Sequence, residues 1–211
     1  GSTYISKLDE TDTLLNNLKP NTTYTIKVNY IYDFNDGYGS RELNEEFTFI
    51  TLKTNPTYDL VLSNVGKKSF TIEHLINDID SALSFDNISL YLENQLVSKY
   101  TSLKDVTFNN LLSNTTYKLV STFNLDLNNG QTKVTKTLYV TTDTLETPSV
   151  NIITYSSYDL INYDYIVYDA DSISTLKDVK LYLNGVEVEG FENLLSNTIY
   201  QLVITLLCDY N

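Results

Sequence analysis

Little in this sequence is suited to covalent chemistry. It has one histidine, one cysteine and one arginine, and neither methionine nor tryptophan. A Ser-His-Asp relay would have to use His74, which lies in an alternating stretch with no nucleophile-elbow motif around it. His74 is therefore expected to be a strand residue at a surface or boundary. Zinc is excluded in the same way, because His74 and Cys208 stand far apart with no ligand spacing. Cys208 has no partner for an intrachain disulfide, and its strand position suits a buried small hydrophobe. Only 7 glycines are present, and no glycine-rich phosphate loop appears among them. No apolar run approaches the roughly 20 residues of a membrane helix. A net charge of −13 argues against nucleic acid and against an anionic membrane surface, both of which attract basic faces. Carboxylates are so widespread that pairs of them carry no signal for glycoside hydrolysis.

What the sequence does contain is repetition. Asn17-Leu18-Lys19-Pro20-Asn21-Thr22-Thr23-Tyr24 returns as Asn110-Leu111-Leu112-Ser113-Asn114-Thr115-Thr116-Tyr117, and again as Asn193-Leu194-Leu195-Ser196-Asn197-Thr198-Ile199-Tyr200. The closing tyrosines lie 93 and 83 residues apart, a period of one small domain. A second correspondence precedes the phrase. Asp78-Ile79-Asp80-Ser81 and Asp169-Ala170-Asp171-Ser172 each stand before an alternating run, Ile88–Leu92 and Val179–Leu183. The third repeat is shorter between its middle hairpin and the phrase. Pro56 and Pro148 each open a repeat, as an edge or linker proline would.

The periodicity is that of strands. Tyr24–Tyr30 and Ser69–His74 alternate apolar with polar residues, and β-branched and aromatic types abound. No stretch has helical spacing, and Leu103–Leu112 has room for one helical turn at most. Asn35-Asp36-Gly37, Asn128-Asn129-Gly130 and Asn184-Gly185 read as tight hairpin turns, since Asn, Asp and Gly accept positive φ. The returning strands are expected at Glu45–Leu52 and Thr132–Thr141, and the third turn joins Val179–Leu183 to Val186–Glu189. Alternation and the phrase register place Leu18, Tyr24, Ile26 and Val28 in the core of the first repeat. In the second they place Phe70, Ile72, Leu90, Leu92, Leu112, Tyr117, Leu119 and Val140. In the third they place Leu181, Leu183, Leu195, Tyr200, Leu202 and Ile204. The 18 tyrosines, with plentiful Asn, Ile, Lys and Thr, read first as the bias of an AT-rich genome rather than as a sugar-binding surface.

Leu18-Lys19-Pro20-Asn21-Thr22-Thr23-Tyr24 resembles the Leu-x-Pro-x-Thr-x-Tyr stretch of the fibronectin type III family, and Ser113 and Ser196 replace the proline in the other copies. The resemblance implies an all-β chain of tandem immunoglobulin-like sandwiches from a bacterial surface or secreted protein. It also implies that each closing tyrosine packs its ring inside and bonds the upstream backbone. The family's strand B tryptophan is absent. Phe70 or Ile72 in the second repeat, and Tyr163 or Tyr165 in the third, would fill its space. The expected organisation is 1–53 as a partial sandwich of last strands, 54–143 as a complete one, and 144–211 as one lacking its final strand. Gly1-Ser2 reads as an expression scar on a piece of a longer protein, without signal peptide or anchor.

Such an array positions or binds other things. The favoured expectation is a non-catalytic spacer of a large extracellular or cell-surface protein. The alternatives are an adhesion module taking a protein or glycan ligand on loops such as Asn77–Asp86 with Asn124–Thr132, and an accessory region of a larger secreted enzyme. Incomplete end repeats could pair by strand exchange in a homodimer, or the first fragment could pack on the second repeat. Calcium is the one ligand put forward, with Asp78, Asp80, Asp169 and Asp171 as its candidates, because clustered oxygen ligands suit it. Turn chemistry, in which aspartate oxygens take nearby backbone N–H groups, is the preferred account of those loops. Asp33–Gly37 looks like an EF-hand loop only superficially and reads better as a turn. Asn21, Asn87 and Asn114 fit the N-glycosylation pattern.

Overall fold

A computed structural model describes residues 14–210. Gly1-Ser2 and Asn211 lie outside the described residues. Among the described residues the chain forms fourteen strands and no helix. The strands used below are β1 (Thr23–Tyr32), β2 (Arg41–Ile50), β3 (Thr57–Val65), β4 (Phe70–Asn77), β5 (Leu83–Leu92), β6 (Gln95–Tyr100) and β7 (Val106–Phe108). They continue as β8 (Thr116–Asp126), β9 (Gln131–Thr141), β10 (Ser149–Ser156), β11 (Ile161–Tyr168), β12 (Ser174–Leu183), β13 (Val186–Val188) and β14 (Gln201–Cys208). The expected all-β class holds.

Among the described residues the strands pair into five sheets. β1 pairs with β2 alone, β3-β4-β7 make a three-stranded sheet, and β6-β5-β8-β9 make a four-stranded one. Then β10 pairs with β11, and β13-β12-β14 form the last sheet. Pro56 and Pro148 stand immediately before β3 and β10, where a missing N–H costs no ladder bond.

The described residues divide into two compact units, one of residues 14–63, 72–106 and 117–140, the other of 64–71, 107–116 and 141–210. In the first, strand alternation builds a dry core. Tyr117, Leu119, Ser121 and Phe123 of β8 are buried, while the residues between them are partly exposed. Tyr58 of β3 lies 5.0 Å, ring to ring, from Phe123, and Ile72, Ile88 and Leu90 are fully enclosed. Burying a side chain of this size contributes about 1.5–3 kcal/mol. The hairpin β1–β2 in this unit has one apolar face, with Tyr24, Ile26 and Val28 half-buried and Phe47 exposed. In the second unit the core is thinner. Phe70 packs tilted against Phe108 with ring centroids 5.2 Å apart, Tyr163 packs likewise against Phe191 at 5.0 Å, and Leu111, Leu145, Leu181 and Leu194 are buried. Phe70 and Ile72 are buried, and Tyr163 is half-buried.

Five local expectations are corrected. Asn35-Asp36-Gly37 is not a tight turn. It lies in an eight-residue loop, because Gly37 and Gly39 both take positive φ and the returning strand begins at Arg41. Leu103–Leu112 holds no helical turn but the short strand β7, whose Val106 and Phe108 bury while Thr107 bonds Thr71 across the sheet. Leu112 and Leu195 are exposed at 45% and 65%, and the buried residues are their neighbours Leu111 and Leu194. The asparagine before each buried leucine has a left-handed φ, and this turns the first leucine rather than the second inward. Cys208 is exposed, because the half-buried run of β14 ends at Leu206. The two-residue turn Asn184-Gly185 is as expected, with φ of 50° and 82°.

Candidate functional site

The thrice-repeated phrase is a corner that bolts one strand to the next. Asn17, Asn110 and Asn193 take φ of 57°, 57° and 58°, and Asn21, Asn114 and Asn197 take 45°, 48° and 53°. Asparagine tolerates this region better than other non-glycine residues, which explains its recurrence at both places. The Tyr24 hydroxyl accepts the Lys19 N–H, and the Tyr200 hydroxyl accepts the Leu195 N–H, each at 2.9 Å. The Thr22, Thr115 and Thr198 hydroxyls donate to the carbonyl two residues back. In the first two copies a threonine just past the returning strand closes the corner. Thr51 Oγ1 accepts the Thr22 N–H at 3.0 Å and donates to the Lys19 carbonyl at 2.6 Å. Thr142 Oγ1 accepts the Thr115 N–H at 3.0 Å and donates to the Leu112 carbonyl at 2.7 Å. The sequence showed the phrase but not these two threonines, which lie 29 and 27 residues downstream of their partners.

The paired Asp-x-Asp-Ser loops form a second repeated device. The first aspartate of each closes its own loop. Asp78 takes the Ala82 and Leu83 N–H groups at 2.7 and 2.8 Å, and Asp169 takes those of Ile173 and Ser174 at 3.1 and 2.7 Å. The second aspartate reaches the linker that enters the repeat. Asp80 Oδ2 accepts the Thr54 N–H, and Asp171 Oδ2 accepts the Glu146 N–H, both at 2.7 Å. Thr54 and Glu146 each stand two residues before the opening proline. A lysine reinforces both clasps: Lys53 donates to the Ser81 carbonyl at 3.0 Å, and Lys67 bridges Asp171 at 2.7 Å and Glu146 at 3.1 Å. These donors hold the Asp80 carboxyl below the usual range, chiefly through the Thr54 N–H, and the Asp171 carboxyl likewise through Lys67 and then the Glu146 N–H. Asp169 is lowered as well, first by the Ser174 hydroxyl.

These four aspartates are the calcium candidates, and the structure puts two in each loop with oxygens turned to N–H donors. Among the described residues no group of three or more His, Cys, Asp or Glu is placed to hold a metal ion. Asp33 and Asp36 act as turn residues, taking the Asn35 and Tyr38 N–H groups.

The loops named for ligand binding carry another contact in the first compact unit. Asn128 Nδ2 donates to the Thr51 carbonyl at 2.9 Å and to Asn21 Oδ1 at 3.2 Å, and the Leu127 carbonyl accepts the Lys53 N–H. Asn77–Asp86 and Asn124–Thr132 thus face the hairpin and its linker. An exposed aromatic pair stands at another loop, 33–40. There Phe34 is 67% and Tyr38 85% exposed, Arg41 lies over the Phe34 ring at 5.2 Å, and Arg41 pairs with Asp36.

His74 is half-buried on β4, its Nε2 3.2 Å from Ser121 Oγ and its ring edge-on to Phe85 and Phe123. Burial lowers its pKa, with the Asp105 charge opposing. It is a boundary residue of a core. Among the glycosylation positions Asn21 and Asn114 are exposed in left-handed turns, whereas Asn87 is half-buried and accepts the Ser89 hydroxyl.

No protein-family model matches the chain, and no curated protein matches it either.

Proposed function

We infer that the chain is a non-catalytic spacer region, a row of immunoglobulin-like sandwiches of the fibronectin type III kind within a large extracellular or cell-surface protein. The observation that carries this reading is the repeated linker clasp, in which the second aspartate of each Asp-x-Asp-Ser loop takes the N–H two residues before the opening proline. A binding module has no need to tie its linkers, whereas a spacer gains reach and resistance to bending by doing so. The strand order supports the family. Strands β3, β4 and β7 form one sheet and β6, β5, β8 and β9 the other, which corresponds to strands A, B, E and C′, C, F, G of an immunoglobulin-like sandwich. The tyrosine corners at Tyr24 and Tyr200 add to it.

Native proteolysis tests the reading. Linkers 52–56 and 142–148 should resist a broad-specificity protease, and Asp80→Asn and Asp171→Asn should each expose the linker beside the mutated loop. Acid should do the same. A depressed aspartate pKa contributes stability that is whole above the ordinary aspartate value and is lost as pH falls through the lowered one. If both wild-type linkers are cut as fast as free peptides of their sequence, the spacer reading is wrong.

One observation favours adhesion as a second reading, and it lies at 33–40 rather than at the loops of the middle repeat. Exposed Phe34 and Tyr38 beside Arg41 and Asp36 offer apolar faces with polar edges, suited to a protein or glycan surface. A glycan or protein array should then yield a ligand whose affinity falls at least tenfold in the Phe34→Ala/Tyr38→Ala double variant. A ligand that the double variant binds equally well would remove this reading.

A further inference from the structure

The one histidine of the chain bridges two sheets of the middle repeat. His74 belongs to β4, in the sheet β3-β4-β7, and Ser121 to β8, in the sheet β6-β5-β8-β9. His74 Nε2 lies 3.2 Å from Ser121 Oγ, within the first compact unit. Ser121 is 0% exposed, so its hydroxyl is closed off from water, and His74 is its partner among the described residues. Aromatic rings enclose the pair. Phe85 of β5 and Phe123 of β8 stand edge-on to the imidazole at 5.3 and 6.0 Å, and Tyr58 of β3 packs on Phe123.

The pair is particular to this repeat. His74 stands four residues before Asp78, and Ser121 four after Tyr117. The third repeat has Tyr165 and Ile204 at those places, and the first has Val28 in the place of Ser121. The same strand pattern therefore forms without the polar pair, which is not a requirement of the fold. The charged groups beside the ring come from two sides. Lys104 and Asp105, in the segment before β7, line an open hollow with His74, Ile76 and Leu103. Asp59 of β3 borders the ring on the other side, but its carboxylate is paired with Lys136. Glu73 of the same strand is exposed on the opposite face, and Phe85, Ser121 and Phe123 of β5 and β8 carry no charge. Burial holds the imidazole below the ordinary value of 6.5, and the Asp105 charge opposes this without reversing it.

We propose that His74 and Ser121 form a proton-sensitive latch between the two sheets of the middle repeat, closed while the imidazole is neutral and released when it takes a proton. In the closed state the ring proton sits on Nδ1, and the Ser121 hydroxyl donates to Nε2. Protonation turns Nε2 into a donor as well. The hydroxyl then loses its acceptor where water does not reach it, and a charge is left among aromatic rings. The closed repeat thus resists a proton that the open chain accepts. The stability that the latch contributes is whole above the ordinary histidine value of 6.5 and is lost as pH falls through the lowered one. The clasp aspartates respond only further toward acid, since Asp80 and Asp171 are held below the ordinary value of 3.8.

The test uses the intact chain, whose single imidazole is read directly by NMR titration. Its midpoint is expected below 6.5. Between about pH 7.5 and about pH 5, amide exchange along Phe70–Asn77 and Thr116–Asp126, corrected for its intrinsic pH dependence, should quicken. The urea midpoint should fall over the same range. In His74→Leu both readouts should stay level. Ser121→Ala should move the imidazole midpoint upward, because the neutral ring loses its donor. The titration of the wild-type ring needs no variant, so a variant that fails to fold leaves the test intact. An imidazole midpoint at or above 6.5, level exchange and urea midpoints in the wild type, the same fall in His74→Leu, or a downward move in Ser121→Ala would each overturn the proposal. Linker proteolysis, which tests the spacer reading, is independent of all four readouts.

Discussion

Tyr117→Ala should destabilise the middle repeat by about 3–5 kcal/mol, the usual cost of deleting a large aromatic side chain from a closed core. The ring is 2% exposed and lies on β8 in the same inward row as Leu119, Ser121 and Phe123. That row is flanked by strands on both sides, so the surrounding structure has little freedom to collapse into the void. Tyr24→Ala and Tyr200→Ala should cost clearly less, because those rings are half-buried and water already reaches them. Denaturant unfolding, with amide exchange along Thr116–Asp126 as the local reporter, separates the three. A loss below about 1 kcal/mol at Tyr117 would show that the corner tyrosine is not part of the core at all.

Strand positions were legible because one face of each strand is dry. The rule of two behind that reading needs no knowledge of the partner sheet, and it placed Phe70, Ile72, Leu90, Leu119 and Val140 correctly. Turns were legible where glycine marked them, as at Asn184-Gly185. The two-residue turn Glu93-Asn94 between β5 and β6 went unseen, because a glutamate at φ 48° carries no sequence signal. Here the ladder between Leu92 and Gln95 imposes the turn, rather than turn residues imposing the ladder. The loop at 33–40 failed in the opposite direction. Its Asn-Asp-Gly is a strong turn signal, yet strand pairing stops at Tyr32 and Arg41, where the last ladder pair forms.

The clasp was half legible. Repetition of Asp-x-Asp-Ser showed that the loops matter, and the role of the first aspartate follows from local turn chemistry. The role of the second does not, because its donors come from 26 and 25 residues upstream, and Lys67 lies 104 residues from Asp171. Local spacing gives no sign of donors so far away in the chain. The same is true of Asn128, a plain hairpin residue in the sequence that holds the Thr51 carbonyl in the structure. Loops at one end of a sandwich are offered equally to a ligand and to the preceding repeat, and composition does not distinguish the two.

The pair Leu111 and Leu112 gives a sharp test of how the corner sets register. Leu111→Ala should cost about 2–5 kcal/mol, whereas Leu112→Ala should stay within about 0.5 kcal/mol. The two residues are adjacent and chemically identical, so helix or strand propensity and hydrophobicity predict no difference between them. Their environments differ: Leu111 is 4% exposed and Leu112 45%. The cause is Asn110, whose φ of 57° turns the chain so that the following residue points into the core. The first copy already held the clue, since Lys19 stands where Leu112 does and a lysine there must face water, while Leu18 takes the inward place. Leu194 and Leu195 repeat the contrast at 9% and 65%. Thermal melts of the four single variants would settle it. Equal losses at Leu111 and Leu112, or a larger loss at Leu112, would mean that the left-handed asparagine does not govern the corner. The shared conformation of the three phrases would then have no physical basis in their shared residues.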